Sequence, residues 1–138
     1  MPKYLLTVDY NGGVVDTPMS ESTPEDIKAH MDYYRVLLTD LRDSGELVDD
    51  QALTGPEQAK VVTSDGVGAP VVTDGPFVEF KEMLAGYELV DVESAERAIE
   101  IAARISRVPG PGGVPLQQPI GVRRVMSAAD FATMTPEL

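Results

Sequence analysis

The stretch Val72-Thr-Asp-Gly-Pro-Phe-Val-Glu-Phe-Lys-Glu-Met-Leu-Ala-Gly86 has several unusual residues in fixed order and guides the interpretation of the whole chain. Asp74-Gly75-Pro76 is a strong turn sequence, because glycine permits unusual backbone angles and proline fixes its own φ. The Asp74 carboxylate is placed to accept the backbone N–H of Phe77, as in an Asx turn. The segment is therefore predicted to be a tight turn that sets the direction of Phe77.

A dense patch of charge follows this turn at Glu79, Lys81 and Glu82. Two interpretations stay open for the patch. In one, it is a solvated turn whose ion pairs contribute less than about 1 kcal/mol. In the other, the charges line a ligand site, because burial and a neighbouring opposite charge can shift the pKa of an acid or a lysine towards neutrality.

Length and composition exclude several classes of protein. The chain has 138 residues, 43% of them hydrophobic and 25% charged, which is typical of one globular domain. Its net charge of −12 disfavours direct binding to nucleic acid, and the lack of cysteine excludes disulfides and thiolate metal sites. The N-terminus does not resemble a signal peptide and no apolar run reaches membrane-spanning length, so a cytoplasmic location is expected.

Two amphipathic helices and a set of short strands are predicted. Thr23 caps the first helix with Pro24 at its first position, and Gly45 ends it. Its apolar stripe has helical spacing and comprises Ile27, Met31, Tyr34, Leu38 and Leu41. Ser94 caps the second helix. Strands are predicted over residues 3–10, 46–53, 59–64, 71–73, 87–92 and 120–126.

This order of elements indicates an α+β fold. It reads β-α-β-β-α-β with a short extra strand before the second helix, which predicts a ferredoxin-like sandwich with an antiparallel sheet and both helices on one face. The other face of the sheet needs a cover, so a homodimer is expected, with Arg123 on that face forming an intersubunit salt bridge or binding an anion. A single domain is predicted over residues 1–126, followed by a tail over 127–138.

The central stretch also carries a family resemblance. Residues 73–82, then Leu84-Ala-Gly-Tyr87, Val92-Glu-Ser-Ala-Glu-Arg-Ala98 and Ala102-Ala-Arg104, resemble the DGPF family, a branch of the YCII-related proteins. The resemblance implies a ferredoxin-like fold, dimers similar to the dimeric α/β-barrel proteins, and no assigned reaction for most members. It also implies a link to extracytoplasmic-function sigma factors. No cofactor is expected for this chain.

The chain departs from the patterns of this family at two places. The last strand of DGPF members often reads Glu-Val-Arg-Pro-Val, whereas the matching stretch here reads Gly121-Val-Arg-Arg-Val125. Other YCII branches use a His–Asp pair, and certain members eliminate or isomerise muconate-like acids. Here the single histidine, His30, lies about one helical turn earlier than in those branches, Tyr34 lies nearer the expected place, and the aspartate after the second helix is missing. The catalytic pair is therefore not carried over.

Two functions remain open. One is a binding or accessory protein linked to sigma-factor-dependent transcription; the other is a cofactor-independent lyase or isomerase that acts on a small organic acid. The candidate catalytic residues are His30 and Asp74, although a structural histidine and a structural turn are the alternatives. The candidate ligand-binding residues, which suit a small acidic metabolite, are Tyr34, Glu79, Lys81 and Glu82. No metal site is predicted, because Asp49-Asp50 and Glu25-Asp26 lack a loop of alternating oxygen ligands.

Overall fold

The computed structural model describes residues 1–9, 22–74 and 84–134, and the fold combines helices with antiparallel strands, which confirms the α+β class. The strands are β1 (Lys3–Asp9), β2 (Leu47–Ala52), β3 (Lys60–Thr63), β4 (Val71–Asp74), β5 (Leu84–Asp91) and β6 (Ile120–Arg124). The helices are α1 (Pro24–Asp43), α2 (Ala95–Ser106) and α3 (Ala128–Met134), with short 3₁₀ turns at Pro56–Gln58 and Pro111–Gly113.

The main sheet has four strands in the order β2-β5-β1-β6, and its neighbouring strands are antiparallel. Strands β3 and β4 instead pair with each other as a separate hairpin. The interpretation of one short extra strand is therefore corrected: within the described residues, the segments around 60–63 and 71–74 form their own two-stranded unit. The turn after Thr63 explains this pairing, because Asp65 Oδ1 accepts the N–H groups of Val67 and Gly68 at 2.9 and 3.0 Å.

The core lies between one face of this sheet and the two long helices. Its buried aliphatic side chains come from β1, β5, α1 and α2, and they include Leu6, Val90, Leu37, Leu41, Ile101 and Ile105. Burying each such side chain stabilises the fold by about 1.5–3 kcal/mol. The opposite face carries alternate residues such as Leu5 and Leu89, which are cross-strand partners and only partly buried.

Both long helices begin as their capping sequences predict. Thr23 Oγ1 accepts the N–H of Asp26 at 3.2 Å, and Ser94 Oγ accepts the N–H of Arg97 at 3.1 Å. Helix α1 ends before Gly45, whose φ of 79° favours glycine. Arg97 then forms two hydrogen bonds with Glu46, each 2.8 Å long, so the first turn of α2 is joined to the residue before β2.

Strand β5 begins at Leu84, three residues before the predicted start at Tyr87, because its first residues pair with the end of β2. The N–H of Leu53 donates to Ala85 O at 2.8 Å, and a side chain at Gly86 would meet Gln51 O at 2.8 Å. The close approach of β2 thus requires glycine at position 86. Within the described segments, no helix is long and apolar enough to cross a membrane.

Candidate functional site

Glu88 is the residue of β5 that stands out physically. The β5 side chains alternate between the two faces of the sheet, and Glu88 lies on the core face between Gly86 and Val90. Its cross-strand partners are Leu6 on β1 and Asp50 on β2. Only 6% of Glu88 is exposed, and it is the one buried charged residue in the described part of the chain.

The Glu88 carboxyl group has an unusual electrostatic environment. Its Oε2 is buried and has no hydrogen-bond partner among the described residues. Burial, followed by the charge of Asp50, raises the pKa of Glu88 to about 7. Asp50 itself lies 3.5 Å from the guanidinium of Arg42, so this cation pairs with Asp50. Glu88 therefore gains and loses a proton near neutral pH.

Tyr34 on α1 lies close enough to Glu88 for the charge of Glu88 to act on the Tyr34 phenol. Burial first, then the charges of Glu88 and Tyr33, raise the pKa of Tyr34 well above its usual value. The Tyr34 phenol consequently keeps its proton through the ordinary pH range. The neighbouring Tyr33 has a structural role, because its hydroxyl donates to the Arg104 carbonyl at 2.6 Å and joins α1 to α2.

His30 completes this group one helical turn before Tyr34. Their ring centroids are 5.3 Å apart and the rings are tilted by 57°. His30 Nδ1 lies 2.9 Å from the carbonyl oxygen of Pro109. A carbonyl oxygen only accepts, so Nδ1 donates and, in the neutral ring, Nε2 keeps its lone pair. We call His30, Tyr34, Asp50 and Glu88 the Glu88 site.

The structure brings His30 and Tyr34 of the sequence-predicted site together, but it gives Asp74 different surroundings. Asp74 is the last residue of β4 and pairs with Lys60 across the hairpin. Its side chain is 83% exposed and that of Lys60 is 58% exposed. The described partner of Asp74 is thus an exposed lysine on a neighbouring strand, and the hairpin presents this pair to solvent.

The remaining predicted site residues, Glu79, Lys81 and Glu82, lie outside the described residues, as does the predicted acceptor contact from Asp74 to Phe77. They stay predictions. Sequence reasoning missed Glu88, although a signal was present: the residue is two positions before Val90 and four before Val92, in phase with the buried face of β5. An acidic residue at a strand position that faces the core is a candidate functional residue, because burying a charge without a partner costs free energy.

Metal binding has no ready set of ligands in the part of the chain that the structure describes. No group of three or more His, Cys, Asp or Glu side chains there could hold a metal ion. The Glu88 site itself supplies a carboxyl group whose pKa is raised to about 7, a protonated phenol and an imidazole nitrogen.

Comparison with known proteins identifies the family. The model of the YCII-related domain matches residues 3–114. An uncharacterized protein of Rhizobium meliloti (strain 1021) is 37% identical over 51 residues, which are 37% of this chain. The matched segment spans 41% of the length of that relative. Because the domain match runs from β1 through α2 and covers most of the chain, the chain belongs to the YCII-related family.

Proposed function

We propose that this YCII-related protein binds a small organic molecule at the Glu88 site. The observation that supports this proposal is the buried, unpartnered Oε2 of Glu88. Leaving a buried polar group without a hydrogen bond costs about 1–3 kcal/mol, and more for a charged group. Buried titratable groups with perturbed pKa values cluster at functional sites, so the unsatisfied carboxyl group supports a binding site at Glu88.

Binding without chemistry is the first form of this function, and cofactor-independent catalysis is the second. The pKa of about 7 at Glu88 favours the second, because a general acid or base works best near the operating pH. One of Glu88 and His30 Nε2 would remove a proton from a carbon next to a carbonyl or carboxyl group. Return of the proton at another carbon gives isomerisation, and loss of a leaving group gives elimination.

The predicted cluster of Asp74, Glu79, Lys81 and Glu82 remains a competing location for the ligand. Its support is the concentration of charge and turn residues in the sequence, together with Lys81 as a partner for an acidic metabolite. The support for the Glu88 site is different: the Glu88 Oε2 atom is buried and has no hydrogen-bond partner within the described residues. These two locations make opposite predictions for single substitutions.

A ligand screen observed by NMR distinguishes the two locations. The screen contains small organic acids, alcohols and amines, and we expect any compound that binds to shift the resonances of His30, Tyr34 and Glu88. We expect the Glu88→Gln substitution to weaken this binding by tenfold or more. Glu96→Gln is the matched control, since it changes an exposed glutamate on α2. Shifts centred on Asp74 and Lys60, with affinity lost in Asp74→Asn and kept in Glu88→Gln, would contradict the proposal.

Catalysis has its own readout, which does not require the natural substrate. For a ligand found in the screen, we expect exchange of a carbon-bound proton with D₂O, detected by loss of the proton signal. The exchange should be abolished in Glu88→Gln and strongly slowed in His30→Ala. A ligand that binds with no exchange in either protein supports the binding function alone.

We also propose a ferredoxin-like arrangement that assembles as a homodimer. The strand order β2-β5-β1-β6 supports the arrangement, and the partly exposed Leu5 and Leu89 on the face away from the helices support the dimer. Light scattering at micromolar concentration should give twice the mass of one chain. The Leu89→Arg variant should give the mass of a single chain. A monomeric wild-type protein would contradict this part of the proposal.

The proposed link to sigma-factor-dependent transcription rests on the DGPF resemblance alone. If the link is physical, a sigma factor expressed from the same operon or genomic neighbourhood should co-purify with the protein. Failure of that sigma factor to bind the purified protein at micromolar concentration would remove physical association from the proposal and leave the ligand-binding function unaffected.

A further inference from the structure

The Glu88 site has an excess of acceptors and negative charge. Glu88 and Asp50 are cross-strand partners on β5 and β2, and Arg42 is the cation that reaches them, through Asp50 at 3.5 Å. Like charges directly opposite each other on two strands repel. Glu88 Oε2 meanwhile has no donor within the described residues. What the site lacks is therefore a hydrogen-bond donor that also carries positive charge.

We propose that the ligand of the Glu88 site carries a protonated amine that binds Glu88 Oε2. This inference rests on the proposed function, that a small molecule binds here, and it names the chemical class. An ammonium group has three donors and no acceptor, so it can satisfy Oε2 without presenting a lone pair to either carboxylate. Its charge also offsets the repulsion between Glu88 and Asp50.

The aromatic residues on α1 suit the same ligand. Tyr34 lies near enough to Glu88 for the Glu88 charge to raise its pKa, and the His30 ring lies against the Tyr34 ring at a centroid distance of 5.3 Å. A cation within about 6 Å of a tyrosine ring face is attracted by the ring electrons. A carboxylate and a nearby aromatic ring form a combination that recognises amines, and here β5 carries the carboxylate and α1 carries the ring.

An acidic ligand is the alternative outcome. Lys81, the predicted partner of an acidic ligand, lies outside the described residues. Within the described residues, an acid would meet two carboxyl groups and would bind only when Glu88 is protonated and donates. The amine and the acid therefore require opposite protonation states of Glu88, and pH distinguishes them.

Three probes of the same size test the inference with the full-length protein: benzylamine, benzyl alcohol and benzoate, titrated by calorimetry or NMR. At about pH 8 we expect benzylamine to bind at least tenfold more tightly than the other two. Its affinity should fall about tenfold between pH 8 and pH 6, because the ionised fraction of Glu88 falls and only that fraction is competent. Benzoate should show no such fall.

Two variants localise the effect. Glu88→Gln should remove both the preference for benzylamine and its pH dependence, whereas the exposed Glu96→Gln should keep them. Thermal unfolding verifies that Glu88→Gln is folded. Tyr34→Leu should lower the affinity for benzylamine more than the affinity for benzyl alcohol, because only benzylamine carries a cation that the electrons of the tyrosine ring attract.

The results separate the inference from the function on which it rests. If benzoate binds most tightly to the wild-type protein but not to Glu88→Gln, the inference of an amine ligand is wrong, whereas the proposed small-molecule site at Glu88 is supported. Equal affinities of the three probes would also overturn the amine. If none of the three probes binds at millimolar concentration, the amine inference is wrong. If the broader NMR screen also gives no shift at His30, Tyr34 or Glu88, the proposed function is wrong as well.

Discussion

Two acidic residues on consecutive strands have opposite environments in this protein. Asp74 ends β4 with its side chain 83% exposed and pairs with Lys60. Glu88 lies in the middle of β5, is 6% exposed, and has an Oε2 with no partner in the described chain. Asp74 belongs to the most distinctive motif of the sequence, whereas Glu88 belongs to an ordinary-looking strand.

The difference shows that density of charge in a sequence is a poor guide to a functional group. An exposed charge is solvated and screened, so its pairing contributes little and leaves nothing for a ligand to complete. A buried charge without a partner is energetically expensive, and the expense itself suggests a use. The chemistry of a site follows from burial, which depends on how distant elements pack.

The largest expected effect is a difference in stability between substitutions in the core and substitutions in the β3–β4 hairpin, which carries Asp74. Leu37→Ala on α1 should lower the free energy of unfolding by about 3 kcal/mol, because it leaves a cavity in a fully buried position. Val62→Ala on β3, at a position 59% exposed, should change it by less than about 0.5 kcal/mol. Urea unfolding measures both values, and equal losses would contradict the division between core and hairpin.

Glu88→Gln should stabilise the protein at about pH 8. The pKa of Glu88 rises from 4.5 to about 7 on folding, which corresponds to about 3 kcal/mol of destabilisation once the group is ionised in both states. The unfolded state loses this proton from about pH 4.5 upwards and the folded state only near 7, so the penalty develops between these values and is complete above 7. Glutamine is always neutral, so we expect a gain of about 2–3 kcal/mol.

The pH dependence provides the control for this prediction. Below about pH 4.5 Glu88 is protonated in both states, so the difference between wild type and Glu88→Gln should shrink towards zero. Chemical unfolding at a series of pH values measures it, with Glu96→Gln as the exposed comparison. A constant difference across the series would show that Glu88 titrates normally in the folded protein.

His30→Ala should have an intermediate effect, because it removes the hydrogen bond from Nδ1 to the carbonyl oxygen of Pro109. We expect a loss of about 1 kcal/mol and faster hydrogen exchange of the amides near Pro109. His30→Asn supplies an amide donor and should recover part of the loss. Unchanged stability and exchange in His30→Ala would contradict this prediction and show that the contact with Pro109 does not stabilise the fold.

Asp74→Ala should have the smallest effect if the exposed pair with Lys60 is the main contact of Asp74. The loss should then be less than about 1 kcal/mol and should diminish at high salt. The predicted turn contact with Phe77 gives a different value, about 1–2 kcal/mol and insensitive to salt, as for the loss of a cap. Thermal melts at low and high salt distinguish the two interpretations.

The sequence predicts the fold more fully than the site, and the reason is the range of the interactions involved. Thr23, Ser94 and Gly45 act within one helical turn, so their roles are visible locally and are confirmed. The separation of the β3–β4 hairpin from the main sheet and the early start of β5 depend on which strands pair with β2 and β5, and this pairing is decided between distant residues. Local patterns alone could not predict them.

The candidate site shows the same limit. His30 and Tyr34 were predictable because an i, i+4 spacing places two side chains on one face of α1. The importance of Glu88 arises from three strands and a helix together: Leu6 and Asp50 lie opposite it, and its charge raises the pKa of Tyr34 on α1. The phase of Glu88 relative to Val90 predicts burial, but the missing partner is visible only when all these elements are assembled.

The titration of the Glu88 side chain tests the central claim most directly. With ¹³C-labelled glutamate, the Cδ resonance that is absent from Glu88→Gln identifies the group, and its chemical shift is followed from about pH 3 to pH 9. We expect a pKa near 7 in the wild-type protein, because burial and Asp50 disfavour the charged form. A pKa near 4.5 would show that the carboxyl group is solvated or already has a partner, and it would contradict the proposed site.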